Sequence, residues 1–245
     1  MNGLAYTRFE LLRTFRNKRF LLFSLGFPLV LYLFIALPGR GEHDFGGTGI
    51  DLPLYYMVGL ASFGTMMAMV SSGARIAGER QTGWTRQLRI TPLSTPAYFR
   101  AKVVTAYAMA ATTIVVLYAA GLAVGVRMPA GEWLQMTVLL LVGLLPFAAL
   151  GVLLGHLLTV DSMGPATGGI ISLLALVSGT WFPVPDHGFL HDVAQALPSY
   201  WLTQASHVSL GGDGWSSTGW LVVAGWTVVL VRLAGFAYRR DTKRV

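Results

Sequence analysis

The sequence contains no cysteine, which rules out disulfides, thiolate metal sites and cysteine nucleophiles. Charge is nearly as scarce. Only 12% of the 245 residues are Asp, Glu, Lys or Arg, against about 25% in ordinary soluble domains. A chain this long cannot clothe a soluble fold in water with so few polar groups. The G-x-x-x-x-G-K-[ST] phosphate loop is missing, as are H-E-x-x-H and G-x-S-x-G. The chain therefore does not hydrolyse ATP by that loop, and it carries neither of those hydrolase signatures. Carboxylates at mid-depth of its apolar runs are lacking too, although a proton or ion path through a membrane normally needs them. Any energy the protein uses comes from elsewhere.

Apolar sequence is what the chain has in quantity: 54% hydrophobic residues and a mean hydropathy of +0.59. Crossing a hydrocarbon core of about 30 Å takes about 20 apolar helical residues. Six runs meet that requirement, at 20–37, 54–77, 103–126, 133–158, 163–181 and 218–238. The expected fold is an all-α membrane protein, a single domain over 1–245 with six transmembrane helices. Pro28 and Pro146 interrupt the first and fourth runs and should kink them. A signal peptide is the competing reading of the first run, but its apolar core is too long and no small-residue cleavage site follows.

The net charge of +7 does not indicate a nucleic-acid partner, because of where the cations lie. Five fall in 8–19, six in 75–102 and five in 232–244, each cluster bordering an apolar run. Cytoplasmic loops carry such an excess of Lys and Arg. With the amino terminus inside, the inner side holds 16 basic residues and the outer side 2, so both termini are expected in the cytoplasm. Arginine outnumbers lysine 15 to 3, which associates the chain with a GC-rich bacterial genome and hence a bacterial plasma membrane.

Residues 1–19 read as an amphipathic interfacial helix. Leu4, Ala5, Phe9, Leu11, Leu12 and Phe15 share one face, and Arg13, Thr14, Asn17 and Lys18 share the other. Arg8 and Arg16 intrude on the apolar arc and would snorkel to the lipid headgroups. A plain basic juxtamembrane tail is the alternative. Residues 182–217 form a long external loop with apolar stretches of its own, Phe189-Leu190 and Tyr200-Trp201-Leu202. Short helices that re-enter the outer leaflet would shelter them. Within it, Asp186, His187, His191 and Asp192 could suggest zinc, but a third convincing ligand is lacking, and no metal site is expected. The glycine pairs Gly121/Gly125, Gly151/Gly155 and Gly164/Gly168 read as helix-packing positions.

The cytoplasmic loop 78–102 carries the informative pattern. Gly83 offers a tight turn, and Thr91-Pro92 ends a short helix bearing Trp84, Arg86, Gln87, Leu88 and Arg89. An exposed helix with an aromatic and a leucine suits a groove on a soluble partner, while a basic loop resting on anionic lipid accounts only for the arginines. Glu79 is expected to organise this loop through Arg80 or Arg86. In order and spacing, Glu79, Arg80, Gly83, Leu88, Pro92 and Ser94 resemble the E-R-x-x-G-x-x-x-x-L-x-x-x-P-x-S loop of type-2 ATP-binding-cassette export permeases. Arg100-Ala101-Lys102 is similar to that family's G-K step, with alanine replacing glycine. The stretches from Ser178 to Pro183 and from Ala196 to Trp201 resemble its passage into external re-entrant helices.

The resemblance implies a coupling helix contacting a separate cytoplasmic ABC ATPase, with Glu79, Arg80, Gly83, Trp84, Arg86, Leu88 and Pro92 as the coupling residues. ATP and Mg would sit on that ATPase, and none on this chain. A second permease copy, identical or a close paralogue, would complete a dimeric pathway among membrane lipids. The residues that line the substrate path are not indicated. Export of a hydrophobic or amphipathic small molecule or lipid is the expected function. A polysaccharide exporter permease is the alternative within the class, and a passive channel or membrane scaffold outside it.

Overall fold

The computed structural model describes residues 3–84, 87, 90–91, 93–211 and 214–243. All regular structure among these residues is helical. In chain order the helices are α1 (Gly3–Phe15), α2 (Lys18–Leu21), α3 (Phe27–Ala36), α4 (Leu52–Ser71), α5 (Gly73–Gln81), α6 (Thr95–Val124), α7 (Ala130–Gly143), α8 (Leu145–Leu157), α9 (Val160–Val177), α10 (Phe189–Gln195), α11 (Pro198–Gln204) and α12 (Ser217–Lys243). Among the described residues, five stretches are long and apolar enough to cross a membrane: Leu52–Gln81, Thr95–Val124, Ala130–Leu157, Val160–Val177 and Ser217–Asp241. The apolar helix Ser24–Ala36, from the first expected span, is shorter.

Both interrupting prolines mark an irregularity. A π-helical turn, Leu22–Gly26, joins α2 to α3 just before Pro28. The proline ring would clash with the carbonyl four residues back, and a widened turn relieves that clash. In the fourth span the helix breaks at Leu144, two residues before Pro146, and restarts as α8.

Helix α4 is the axis of the bundle. Nearly its whole length is buried, because α3, α6, α8 and α9 all pack against it. A helix apolar on every side is what such a central position requires. Where α5 crosses α8 the backbones touch through glycine. A Cβ on Gly73 would lie 2.1 Å from the Gly151 carbonyl, and one on Gly155 would lie 2.6 Å from the Gly73 carbonyl. Gly151 and Gly155 are thus contact residues, whereas a Cβ on Gly164 or Gly168 would meet nothing within 4 Å.

The helices extend beyond the apolar runs. Gly78, Glu79 and Arg80 belong to the last turns of α5, and α6 begins at Thr95, with Pro96 in its first turn. The connection between α5 and α6 is therefore confined to the residues between Gln81 and Thr95.

At the opposite end, 178–210 folds as a docked cap. Tyr56 Oη donates to the Trp181 carbonyl at 2.8 Å, Thr203 Oγ1 to the Ser178 carbonyl at 2.6 Å, and Trp201 Nε1 to the Gln195 carbonyl at 2.9 Å. The two apolar stretches of this segment differ in fate. Tyr200-Trp201-Leu202 on α11 is buried, while Phe189 and Leu190 on α10 remain exposed.

Candidate functional site

The sequence-predicted coupling residues begin at the end of the bundle where the basic clusters converge. There α5 presents Glu79 and then Arg80, neighbours on a helix and so about 100° apart around its axis. Each meets a different group of helices.

Glu79 faces α1 and α6. Its Oε2 accepts from Tyr98 Oη at 2.6 Å, and its Oε1 accepts from Lys102 Nζ. The same ammonium donates to Glu10 Oε2 at 2.9 Å. Glu10 is 0% exposed, Lys102 3% and Glu79 4%. Three charges are thus withdrawn from water together, which is tolerable only because they pair. Arg13, itself half-exposed, adds a cation from the rim, with Nη1 at 3.6 Å from Glu79 and 3.8 Å from Glu10. Arg75 donates to Thr14 Oγ1 and lies 3.9 Å from Glu10. Lys102 Nζ also stands over the Tyr98 and Tyr6 rings, at 5.2 and 5.9 Å from their centroids, positions that favour a cation. Burial, then the carboxylates of Glu79 and Glu10, push the Tyr6 hydroxyl far above its ordinary pKa.

Helix α1 therefore has two working faces. Tyr6, Glu10 and Thr14, at i, i+4 and i+8, are buried against the bundle. Leu4, Phe9, Leu12 and Phe15 are exposed. An apolar stripe thus runs along the exposed side of α1 at the basic end.

Arg80 faces α8 and α12. It grips Asp241 with two nitrogens, Nε at 2.6 Å and Nη2 at 2.9 Å. Its Nη1 donates to the Gly155 and Leu158 carbonyls at 3.0 and 3.3 Å. Those carbonyls end α8 and lack partners within the helix, so the guanidinium acts as a C-terminal cap. His156 Nδ1 lies 3.2 Å from the same aspartate. Planar bidentate pairing of this kind is specific to arginine.

Beyond Arg80 the chain turns at Gly83, whose φ of 71° is left-handed and strains any residue with a Cβ. The Gln87 N–H donates to the Gly83 carbonyl at 3.3 Å, closing one helical turn. Trp84, 37% exposed, lines a cavity of about 590 Å³ together with Phe9, Arg13, Asn17 and Arg75. Arg86, Leu88 and Pro92 lie outside the described residues.

Glu79 does not work through Arg80. Among the described residues its partners lie on α1 and α6, since Arg80, the next residue on the helix, points about 100° away; Arg86, the other expected partner, lies outside the described residues. Glu10, Tyr98, Lys102, Asp241 and His156 were not among the predicted site residues. Their signal was present in the sequence: Glu10, Glu79 and Asp241 are three of only four acids on the strongly basic side. Among the described residues of the opposite cap, no group of three or more His, Asp or Glu could hold a metal. His191 is engaged instead with Gln195, at 2.7 Å.

These features describe a multi-pass helical membrane protein with an ion-paired junction at one end. The profile described as "ABC-2 family transporter protein" matches residues 49–236, most of the chain. The chain belongs to that family and is the membrane permease subunit of an ABC transporter. It is similar to "Putative transport permease YvfS" of Bacillus subtilis (strain 168), with 29% identity over 202 residues that cover 78% of each chain.

Proposed function

We propose that this permease exports a hydrophobic or amphipathic small molecule or lipid, driven by a separate ABC ATPase that docks on the segment from Gly83 to Pro92. The basic end then faces the cytoplasm, because 16 of 18 cations lie on that side of the six-span topology. The setting is a bacterial plasma membrane, with a second permease copy completing the pathway and ATP and Mg held by the ATPase. One observation carries the reading. The docking segment leaves α5 immediately after Glu79 and Arg80, and these two residues hold α1 and α6 on one side and α8 and α12 on the other. A push on that segment reaches four helices through charge-assisted bonds, buried on the Glu79 side and half-buried on the Arg80 side. Such a rigid two-sided joint can bias the bundle between two arrangements, as ATP-driven transport needs.

Apolar cargo is favoured by the lightly hydroxylated, mostly apolar spans. A polysaccharide exporter is the second reading within the class, and a passive channel or scaffold, which needs no ATPase, is the reading outside it. The test is co-purification with the ATPase and substrate-stimulated ATP hydrolysis. Leu88→Ala should weaken docking by about 1–2 kcal/mol, and Leu88→Glu by more, since it buries an unpaired carboxylate. Wild-type levels of both readouts in Leu88→Glu would reduce the segment to a lipid-facing loop.

A further inference from the structure

On the membrane-facing side, between α6, α8 and α12, lies a groove of about 350 Å³ that the transport reading does not use. Its walls are Val103 of α6, Ala149 and Val152 of α8, and Val231 and Gly235 of α12. Its only two side-chain hydroxyls are engaged. Thr227 donates to the Val223 carbonyl at 2.6 Å, and Tyr238 Oη lies 3.3 Å from Thr95 Oγ1. The groove thus offers little that water could satisfy, and a dry apolar slot in a bilayer is filled by hydrocarbon.

Length and charge select the occupant. Along α12 the groove runs from Thr227 to Tyr238, about 16 Å at the helical rise, which is half of a hydrocarbon core of about 30 Å. It is therefore as deep as one leaflet. At its far end Phe99 and Tyr238 meet edge to face with ring centroids 5.0 Å apart, and His156 packs behind them at 6.0 and 5.5 Å. Of these, the tyrosine favours the level of the headgroups. One turn further along the Thr227, Val231, Gly235 stripe stands Arg239, exposed, with Arg240 beside it. A Cβ on Gly235 would meet nothing within 4 Å, so the slot is open at its middle.

We propose that this groove binds one acyl chain of an anionic phospholipid of the cytoplasmic leaflet, whose phosphate rests on Arg239. The choice of leaflet rests on the orientation given under Proposed function. The groove does not.

The test uses the full chain reconstituted in phosphatidylcholine vesicles containing phosphatidylglycerol, with bound lipid counted by native mass spectrometry. The wild type should retain one phosphatidylglycerol. Gly235→Leu adds side chain where there is space and so should fold. It displaces about two methylenes of the acyl chain, a roughly tenfold loss of retained lipid. Arg239→Gln should keep a lipid but lose most of its preference for phosphatidylglycerol over phosphatidylcholine, about fivefold for one cation near the surface. Equal retention in Gly235→Leu and wild type overturns the proposal. So does a loss of dimer with the lipid count unchanged, which would assign the groove to a second copy. The chain has no cysteine, so Arg239→Cys can be labelled selectively from either side of the vesicle or cell. Labelling only from outside overturns the cytoplasmic orientation and the leaflet assigned here, while the lipid count judges the groove independently.

Discussion

Glu79 and Arg80 are adjacent in the chain, yet they bind opposite halves of the bundle. The glutamate accepts from Tyr98 and Lys102, while the arginine holds Asp241 at 2.6 and 2.9 Å. Between them they meet α1, α6, α8 and α12, so the junction ties the end of α5 to four helices of the bundle. The cost of such an arrangement is that no member can be removed without stranding its partners.

Lys102 is where that cost is largest. Lys102→Met leaves Glu10 and Glu79 buried together without their shared ammonium. Breaking a buried pair by removing one partner typically costs about 3–5 kcal/mol. The variant should unfold at markedly lower temperature in detergent, by fluorescence or calorimetry. Adding Glu10→Gln to Lys102→Met should recover part of the loss, because it removes one stranded charge. A Lys102→Met protein as stable as wild type would show that the cluster is not closed in the membrane.

The crossing of α5 and α8 makes a prediction about size. A methyl group on Gly73 would fall 2.1 Å from a backbone carbonyl, which cannot move aside as a flexible side chain could. Gly73→Ala should therefore destabilise by at least about 1–3 kcal/mol, the usual cost of overpacking. Gly164→Ala and Gly168→Ala face open space and should leave the unfolding temperature of the isolated chain unchanged or slightly raised, since alanine favours helix over glycine.

Orientation can be read with reporters. A cytoplasm-active reporter should function when inserted between Gln81 and Pro92, and should be silent between Asp186 and Ser199. Activity from the second site would remove the six-span arrangement, and with it the inward direction of the coupling segment.

The cap should respond to acid. Burial lowers the pKa of His207, with the Gln204 backbone and Asp186 acting against the shift. A histidine kept neutral by folding takes up its proton more readily when unfolded. Its contribution is then fully present above the unfolded value of about 6.5 and is lost as the pH falls through the lower folded pKa. Proteolysis of 178–210 in outside-accessible vesicles should accelerate below about pH 6.5, and His207→Gln should flatten that dependence.

Much of this molecule is legible in one dimension. Apolar runs of the length needed to cross a bilayer, and cations gathered at alternate ends of them, follow from composition and order alone, because partition into hydrocarbon depends on local sequence. Even α1 was readable, since the wheel that sets Leu4, Phe9 and Phe15 on one side needs only the helical period. Gly83, where the chain turns after α5, was likewise marked without coordinates. Tertiary structure decided which charges are surface charges and which are not. Lys102 looked like one more cation of a basic cluster and proves 3% exposed between Glu10 and Glu79. Its partners are 92 and 23 residues away along the chain. Helical period places a side chain on its own helix and says nothing of which helix will face it. That pairing arises only when α1, α5 and α6 are packed side by side, where an unpaired charge cannot remain.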